Sequence, residues 1–233
     1  NWYDEAFHNS FRQEYNFSVS GSKDRLSYYG SVGYLDDGGI VDNSNYKRYT
    51  ARINVDYQAK KWMKITSNMS YSHSDSKIAS YSSTYGSSGN IFYITNNIAP
   101  IYPLYVRDAE GNIMYANGYP VYDANQTNFV RPNIVGNAVR DNAIDDKTNY
   151  ADVLTGKVGI VLTPVKGLNI SANLGLMNDN TRYNALYSQF SGSSSTDGYV
   201  SVQHSRLFAV NSQLLAEYGT DFGGSDHRFD ILA

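Results

Sequence analysis

Residues 25 to 41 read RLSYYGSVGYLDDGGIV, and the fold turns on which surroundings meet each side of this segment. Leu26, Tyr28, Gly30, Val32 and Tyr34 share one face, while Ser27, Tyr29, Ser31 and Gly33 share the other; a period of two marks a strand. Asp36, Asp37, Gly38 and Gly39 then end the alternation with residues that tolerate turn dihedrals. Such a strand either lays its apolar side over a soluble core or presents that side to lipid.

The same rhythm recurs on both sides. In QEYNFSVSGS (13 to 22), Tyr15, Phe17 and Val19 oppose Asn16, Ser18 and Ser20. In YTARINVDY (49 to 57), Tyr49, Ala51, Ile53, Val55 and Tyr57 oppose Thr50, Arg52, Asn54 and Asp56. MKITSNMSYSH (63 to 73) sets Met63, Ile65, Met69 and Tyr71 against Lys64, Thr66, Asn68, Ser70 and Ser72, with Ser67 as the misfit. In TGKVGIVLT (155 to 163), Gly156, Val158, Ile160 and Leu162 oppose Thr155, Lys157, Gly159 and Thr163, and LNISANLGL (168 to 176) alternates without a break. Residues 207 to 218 do so less cleanly, and HRFDILA (227 to 233) reads as a strand cut short.

The connections alternate in length. GSKD (21 to 24), QAKKW (58 to 62), PVKG (164 to 167) and TDFGGSD (220 to 226) are short, whereas the links after Leu35, His73 and Asn178 are long. Tight turns at one end and extended loops at the other are the habit of outer-membrane barrels. The longest link, 74 to 152, holds Pro100, Pro103, Pro120 and Pro132, four of the five prolines, and exceeds a plain connection. YSSTYGSSG and SGSSSTDG are Ser-rich loop material.

Composition narrows the field. The 233 residues carry a formal charge of −3, so there is no basic excess to neutralise nucleic-acid phosphates. With no cysteine, neither a disulfide framework nor a CxxC metal site exists. No apolar run approaches the roughly 20 residues of a membrane helix, and NWYDEAFHNS lacks the features of a signal peptide. The mean hydropathy of −0.47 is compatible with a membrane β-barrel, in which half of each strand and all loops face water.

Tyr49 and Tyr57 bracket one apolar face; at about 3.3 Å per residue and a tilt near 45° they stand roughly 19 Å apart, within an apolar band of about 25 Å. A soluble sheet would need a partner layer over that face, and neither an amphipathic helix nor a second class of strand is evident to supply one. The strand lengths also match a tilted crossing. The expected fold is all-β, a transmembrane antiparallel β-barrel.

NWYDEAF, the strand and loop YYGSVGYLDDGGIV, NFSVSG, and NYKRYTARINVDYQ leading to Trp62 together resemble the SusC/RagA family of TonB-dependent outer-membrane transporters. PVKGLNISANLG is similar to a later hairpin of the same barrel. The resemblance implies that residues 1 to 233 are part of one barrel domain, about eight strands of a plugged barrel of roughly 22. It also implies a long extracellular loop at about 74 to 152, with the plug domain and closing strands lying outside this chain. The implied role is TonB-dependent import of oligosaccharides or peptides, in the outer membrane of a Gram-negative, Bacteroidetes-like bacterium. The implied partners are a SusD-like surface lipoprotein acting as a lid, and TonB, reached through the plug region.

Neither a catalytic group nor a cofactor is expected. His8, His73, His204 and His227 are scattered without metal-ligand spacing. DAEGN (108 to 112) lacks the remaining ligands of a calcium loop and reads as a β-turn. No GxSxG elbow occurs, and YGSSGN lacks a phosphate-binding lysine. The candidates for solute or partner contact are therefore loop aromatics, Tyr102, Tyr105, Tyr115, Tyr119 and Tyr122, alongside Asn112, Asn117, Asn125 and Asp123. Aromatic faces stack on sugar rings, and amides and carboxylates bind hydroxyls or peptide groups; equally, these tyrosines fold the loop against the barrel. Arg52, Asn54, Asp56, Lys64, Asn68, Lys157, Asn169 and Asn173 are expected to face the lumen. The competing classes are a secreted β-rich carbohydrate-binding module or adhesin, and an outer-membrane hydrolase.

Overall fold

The computed structural model describes residues 1–79, 90–123, 137–191, 197–222 and 227–232. Helix α1 (Trp2–Ala6) precedes strands β1 (Arg12–Lys23), β2 (Leu26–Gly38), β3 (Asn45–Lys60) and β4 (Met63–Lys77). The long insertion contributes α2 (Ile91–Asn97), a small hairpin of β5 (Tyr115–Ala116) and β6 (Tyr119–Pro120), and α3 (Ala138–Ile144). Strands β7 (Asp146–Val165), β8 (Leu168–Tyr187), β9 (Tyr199–Phe222) and β10 (His227–Leu232) complete the chain. The large sheet has eight strands in the order β1-β2-β3-β4-β7-β8-β9-β10, each antiparallel to its neighbours.

Register keeps the two faces separate across the whole sheet. Phe17 pairs with Val32, Val32 with Ala51, Ala51 with Tyr71, Tyr71 with Leu154, Leu154 with Asn178 and Asn178 with Phe208. Because directly opposed residues point to the same side, the apolar rows of all these strands form one surface. Ser67 lies within it, opposite Val55 and Val158.

The apolar surface slides along the strands. The row that starts at Leu26 on β2 passes through Tyr57, Ile65, Ile160 and Ala172 to Leu214 on β9. There the apolar side continues past Leu214, through Ala216 to Tyr218. A level band on tilted strands must drift in this way, since ladder rows run perpendicular to the strands and climb relative to the membrane plane.

Among the described residues, no layer covers the apolar surface. Val158 and Leu176 are 47% and 46% exposed, near the middle of their strands. Among the described residues, every buried hydrophobic one except Leu35 and Ala185 belongs instead to a cluster at the loop end, formed by Trp2, Ala6, Val41, Ile91, Ile94, Ile98, Leu104 and Ala138. A globular sheet domain puts its core against the sheet; here the core is a cap built from loops.

Two features differ from expectation. The strands near the long loops are longer: β7 spans Asp146–Val165, β8 runs to Tyr187 and β9 starts at Tyr199. Beyond the apolar band both faces meet water, so the ladder continues without alternation to announce it. Three short helices also form among the described residues, where no amphipathic helix is expected from the sequence. Each has an asparagine N-cap: Asn1 accepts from the Tyr3 N–H, Asn90 from Phe92 and Tyr93, and Asn137 from Arg140, satisfying otherwise orphaned donors. Their buried residues serve the cap and leave the outward face of the sheet bare.

The β7–β8 turn depends on Gly167, which has φ of +88°. A Cβ there would run into the carbonyl oxygen of Gly219, while the Gly167 carbonyl accepts the Gly219 N–H at 2.8 Å. Gly167→Ala combines a left-handed backbone with a backbone clash, and is expected to cost about 2 kcal/mol or more. A lowered urea midpoint for folding in lipid vesicles would show it; an unchanged midpoint would contradict this turn geometry.

Candidate functional site: a polar sheet face beneath a folded loop cap

All eight strand residues singled out from sequence sit on the side opposite the apolar rows. Arg52 lies between Ser31 and Ser70, and Asn54, Asn68 and Lys157 form one row that continues to Gly175. Asp56 accepts an ion-paired hydrogen bond from Lys64 Nζ at 2.8 Å. Both side chains are over 40% exposed, so the pair contributes at most about 1 kcal/mol. Asn169 accepts from the Thr163 hydroxyl at 2.8 Å, and Asn173 stands between Gly159 and Gln213. Asn173 Oδ1 and Thr66 Oγ1 overhang Gly159, while Asn16 Oδ1 and Thr50 Oγ1 overhang Gly33. This side is thus lined with amides, hydroxyls and mixed charge.

The cap ties distant segments together. Trp2 donates its indole N–H to the Tyr102 carbonyl at 2.8 Å. Asn43 donates to the carbonyl of Asn142 at 2.8 Å, and Asn142 returns a bond to that of Asp42 at 2.5 Å. Asn137 is buried and donates to the carbonyls of Leu104 at 3.0 Å and Asp123 at 3.1 Å.

The five loop tyrosines separate into two groups. Tyr102, Tyr105 and Tyr122 pack against the cap core, with the Tyr105 and Tyr122 rings 5.0 Å apart. Burial, followed by the neighbouring Tyr122, pushes the Tyr105 phenol up to about 12, so it stays protonated at any physiological pH. Tyr115 and Tyr119 are 65% and 75% exposed on the β5–β6 hairpin. Its turn, Asn117 (φ +51°) and Gly118 (φ +83°), has the Asn-Gly chemistry of a tight hairpin.

Residues 108 to 112 form a turn. Asp108 accepts from the Asn112 N–H at 2.7 Å, the Glu110 N–H at 3.1 Å and the Asn112 amide at 3.1 Å. These bonds, led by the Asn112 N–H, hold its carboxyl below the ordinary range. Among the described residues no group of three or more His, Cys, Asp or Glu could hold a metal ion. His8 meets Asp42 at 3.2 Å, and His73 meets Asp152 at 2.8 Å and Asp75 at 3.2 Å. Asn125, Pro132 and most of YGSSGN lie outside the described residues.

Sequence reasoning missed one concavity, a cleft of about 620 Å³ whose lining includes Trp2, Glu5, Ile101, Tyr102, Arg107 and Asp108. It joins helix α1 to a segment about a hundred positions later, and no local pattern signals that meeting.

No helix among the described residues is long and apolar enough to cross a membrane, a criterion silent on strands. An apolar surface shared by eight antiparallel strands, a polar opposite face and long loops gathered at one end define a wall of a transmembrane β-barrel. No family model matches the sequence. A 54-residue stretch is 39% identical to the TonB-dependent receptor SusC of Bacteroides thetaiotaomicron, covering 23% of this chain and 5% of that protein. A 52-residue stretch is 33% identical to the TonB-dependent receptor P39 of Formosa agariphila, again 5% of its length. The fold matches a chain of the RagAB peptide transporter with a TM-score of 0.70 at 20% identity, over 96% of this chain and 24% of that one. It matches the RagAB importer in its open-open and closed-closed states with TM-scores of 0.72 at 22% identity, over 95% of this chain and 23% and 24% of those chains. The chain is thus SusC/RagA-like, and it spans about a quarter of the solved RagAB chains and a twentieth of the curated receptors.

Proposed function

We propose that this chain forms part of the wall and external loops of a TonB-dependent outer-membrane importer that takes up oligosaccharides or peptides. The observation that carries this is the two-sided sheet, with Phe17, Ile53, Met69, Val158, Leu174 and Val210 exposed on one side and Arg52, Asp56, Lys64 and Lys157 on the other. Lipid solvates the first side and a watery lumen the second, and the barrel does no covalent chemistry. Arg52, Asn54, Asp56, Lys64, Asn68, Lys157, Asn169 and Asn173 line the lumen in this assignment, where mixed charge serves solute passage or holds a plug. The likeness to SusC and to the RagAB peptide transporter supports a SusD-like lipoprotein as the lid, and TonB as the source of energy through a plug.

Within the cap, Tyr102, Tyr105 and Tyr122 support the loop, and Tyr115 and Tyr119 meet the solute or the lid. The double substitution Tyr115→Ala and Tyr119→Ala, which removes two exposed rings, is expected to weaken solute capture about tenfold, since each stacking contact is worth roughly 0.5 to 1.5 kcal/mol. Uptake by cells carrying the full-length protein reads this out, with outer-membrane abundance as the control. Equal uptake at equal abundance would remove these rings from the site. Fractionation with soluble secreted protein would overturn the importer assignment in favour of a secreted module.

A further inference from the structure

We propose that Arg182, His204 and Arg206 form a binding site for the phosphate groups of an outer-leaflet glycolipid, on the outward side of β8 and β9 just above the apolar band. It rests on the outer-membrane assignment and adds a specific lipid contact to it.

The placement follows from register. From the turn end upward, the outward side of β9 presents Tyr218, Ala216, Leu214, Ser212, Val210 and Phe208, and then Arg206 and His204. Successive residues on one face are about 6.6 Å apart along a strand, so Arg206 stands one step beyond Phe208, where acyl chains give way to headgroups. Arg206 pairs with Asn180 and His204 with Arg182. Two guanidinium groups and an imidazole are therefore within two ladder steps, with Asn178, Asn180 and Asn184 sharing the same side.

Among the described residues no acidic side chain pairs with the arginines of this patch. Arg182, His204 and Arg206 are exposed. Arg182 Nε donates to the Asn184 amide oxygen at 3.0 Å. Three other cations on this side have partners: Lys47 meets Asp36 at 3.8 Å, Lys77 meets Asp146 at 3.6 Å, and His73 meets Asp75 and Asp152. Asp152, which faces Asn180 across the ladder, already accepts from Tyr71 at 2.6 Å and from His73 at 2.8 Å.

Guanidinium forks bind phosphate through paired, charge-assisted hydrogen bonds. Basic side chains at headgroup depth gain further from an anionic leaflet. The rings and alkyl groups below, Phe208 and Leu176, meet the acyl chains of the same lipid. A phosphate-bearing glycolipid satisfies both halves of this surface.

The test uses the full-length protein in nanodiscs of zwitterionic lipid, titrated with lipid A bearing two phosphates and with its dephosphorylated form, and read by native mass spectrometry. The wild type is expected to bind the phosphorylated form about tenfold or more tighter, the scale of a single charge-assisted hydrogen bond. Arg182→Gln combined with Arg206→Gln should abolish that preference, whereas Arg52→Gln, on the opposite face, should keep it. A wild type without preference, or a double variant that retains it, overturns the site while leaving the barrel assignment standing, provided the protein floats with liposomes. A protein that does not enter bilayers overturns both.

Discussion

Arginine at Leu174 or Ile160 is expected to destabilise the folded protein by about 2 to 4 kcal/mol each. Ile160 pairs with Ala172 and Leu174 with Val158, in the middle of the outward band of β7 and β8. Among the described residues no second layer lies over either side chain, and Leu174 is 47% and Ile160 36% exposed. In water such residues would accept arginine at almost no cost, so the whole penalty comes from forcing a guanidinium into hydrocarbon. Asn173→Arg, one position away on the opposite face, should be mild. Urea titrations of folding into lipid vesicles measure all three, and equal tolerance at Leu174 and Asn173 would contradict the sidedness.

Ile94→Ala should cost about 2 to 5 kcal/mol in the cap, because it removes a side chain that is 1% exposed from the centre of the only apolar cluster among the described residues. The loss should stay local. The cap reaches the sheet through loop-end contacts, such as the bond from Asn43 to Asn142, while the strands are held by their own ladders. Hydrogen exchange should therefore speed up through α1, α2 and α3 and leave β7 and β8 protected. Global loss of barrel protection would show that the cap and the sheet fold as one unit.

The sheet was legible in sequence wherever an apolar environment meets one face. From Leu168 to Leu176, five apolar residues alternate with polar ones, and the register bears the pattern out position by position. Legibility stops where the band stops. From Asn178 to Tyr187 the strand continues, but Asn180, Arg182 and Asn184 are outward residues with no hydrocarbon to select against them. The short helices were hidden for another reason. At seven residues, α2 and α3 are too brief to show a face, and their signals were the capping residues Asn90 and Asn137. The division of the loop tyrosines had no local signal at all. It depends on Trp2 donating to Tyr102 across a hundred positions and on Asn137 tying Leu104 to Asp123. Parity alone assigns the eight polar strand residues to one side, because side chains alternate along a strand, and it carries no information on what each of them touches.

Spin-label accessibility along β8 tests the central claim most directly. The chain has no cysteine, so single labels can be introduced in turn at positions 169 to 176. With the protein in vesicles, labels at 170, 172, 174 and 176 should be accessible to dissolved oxygen and shielded from a water-soluble nickel complex, while those at 169, 171, 173 and 175 should show the reverse. Loss of that two-residue alternation, or nickel access on both sides, would mean that the apolar face does not meet lipid.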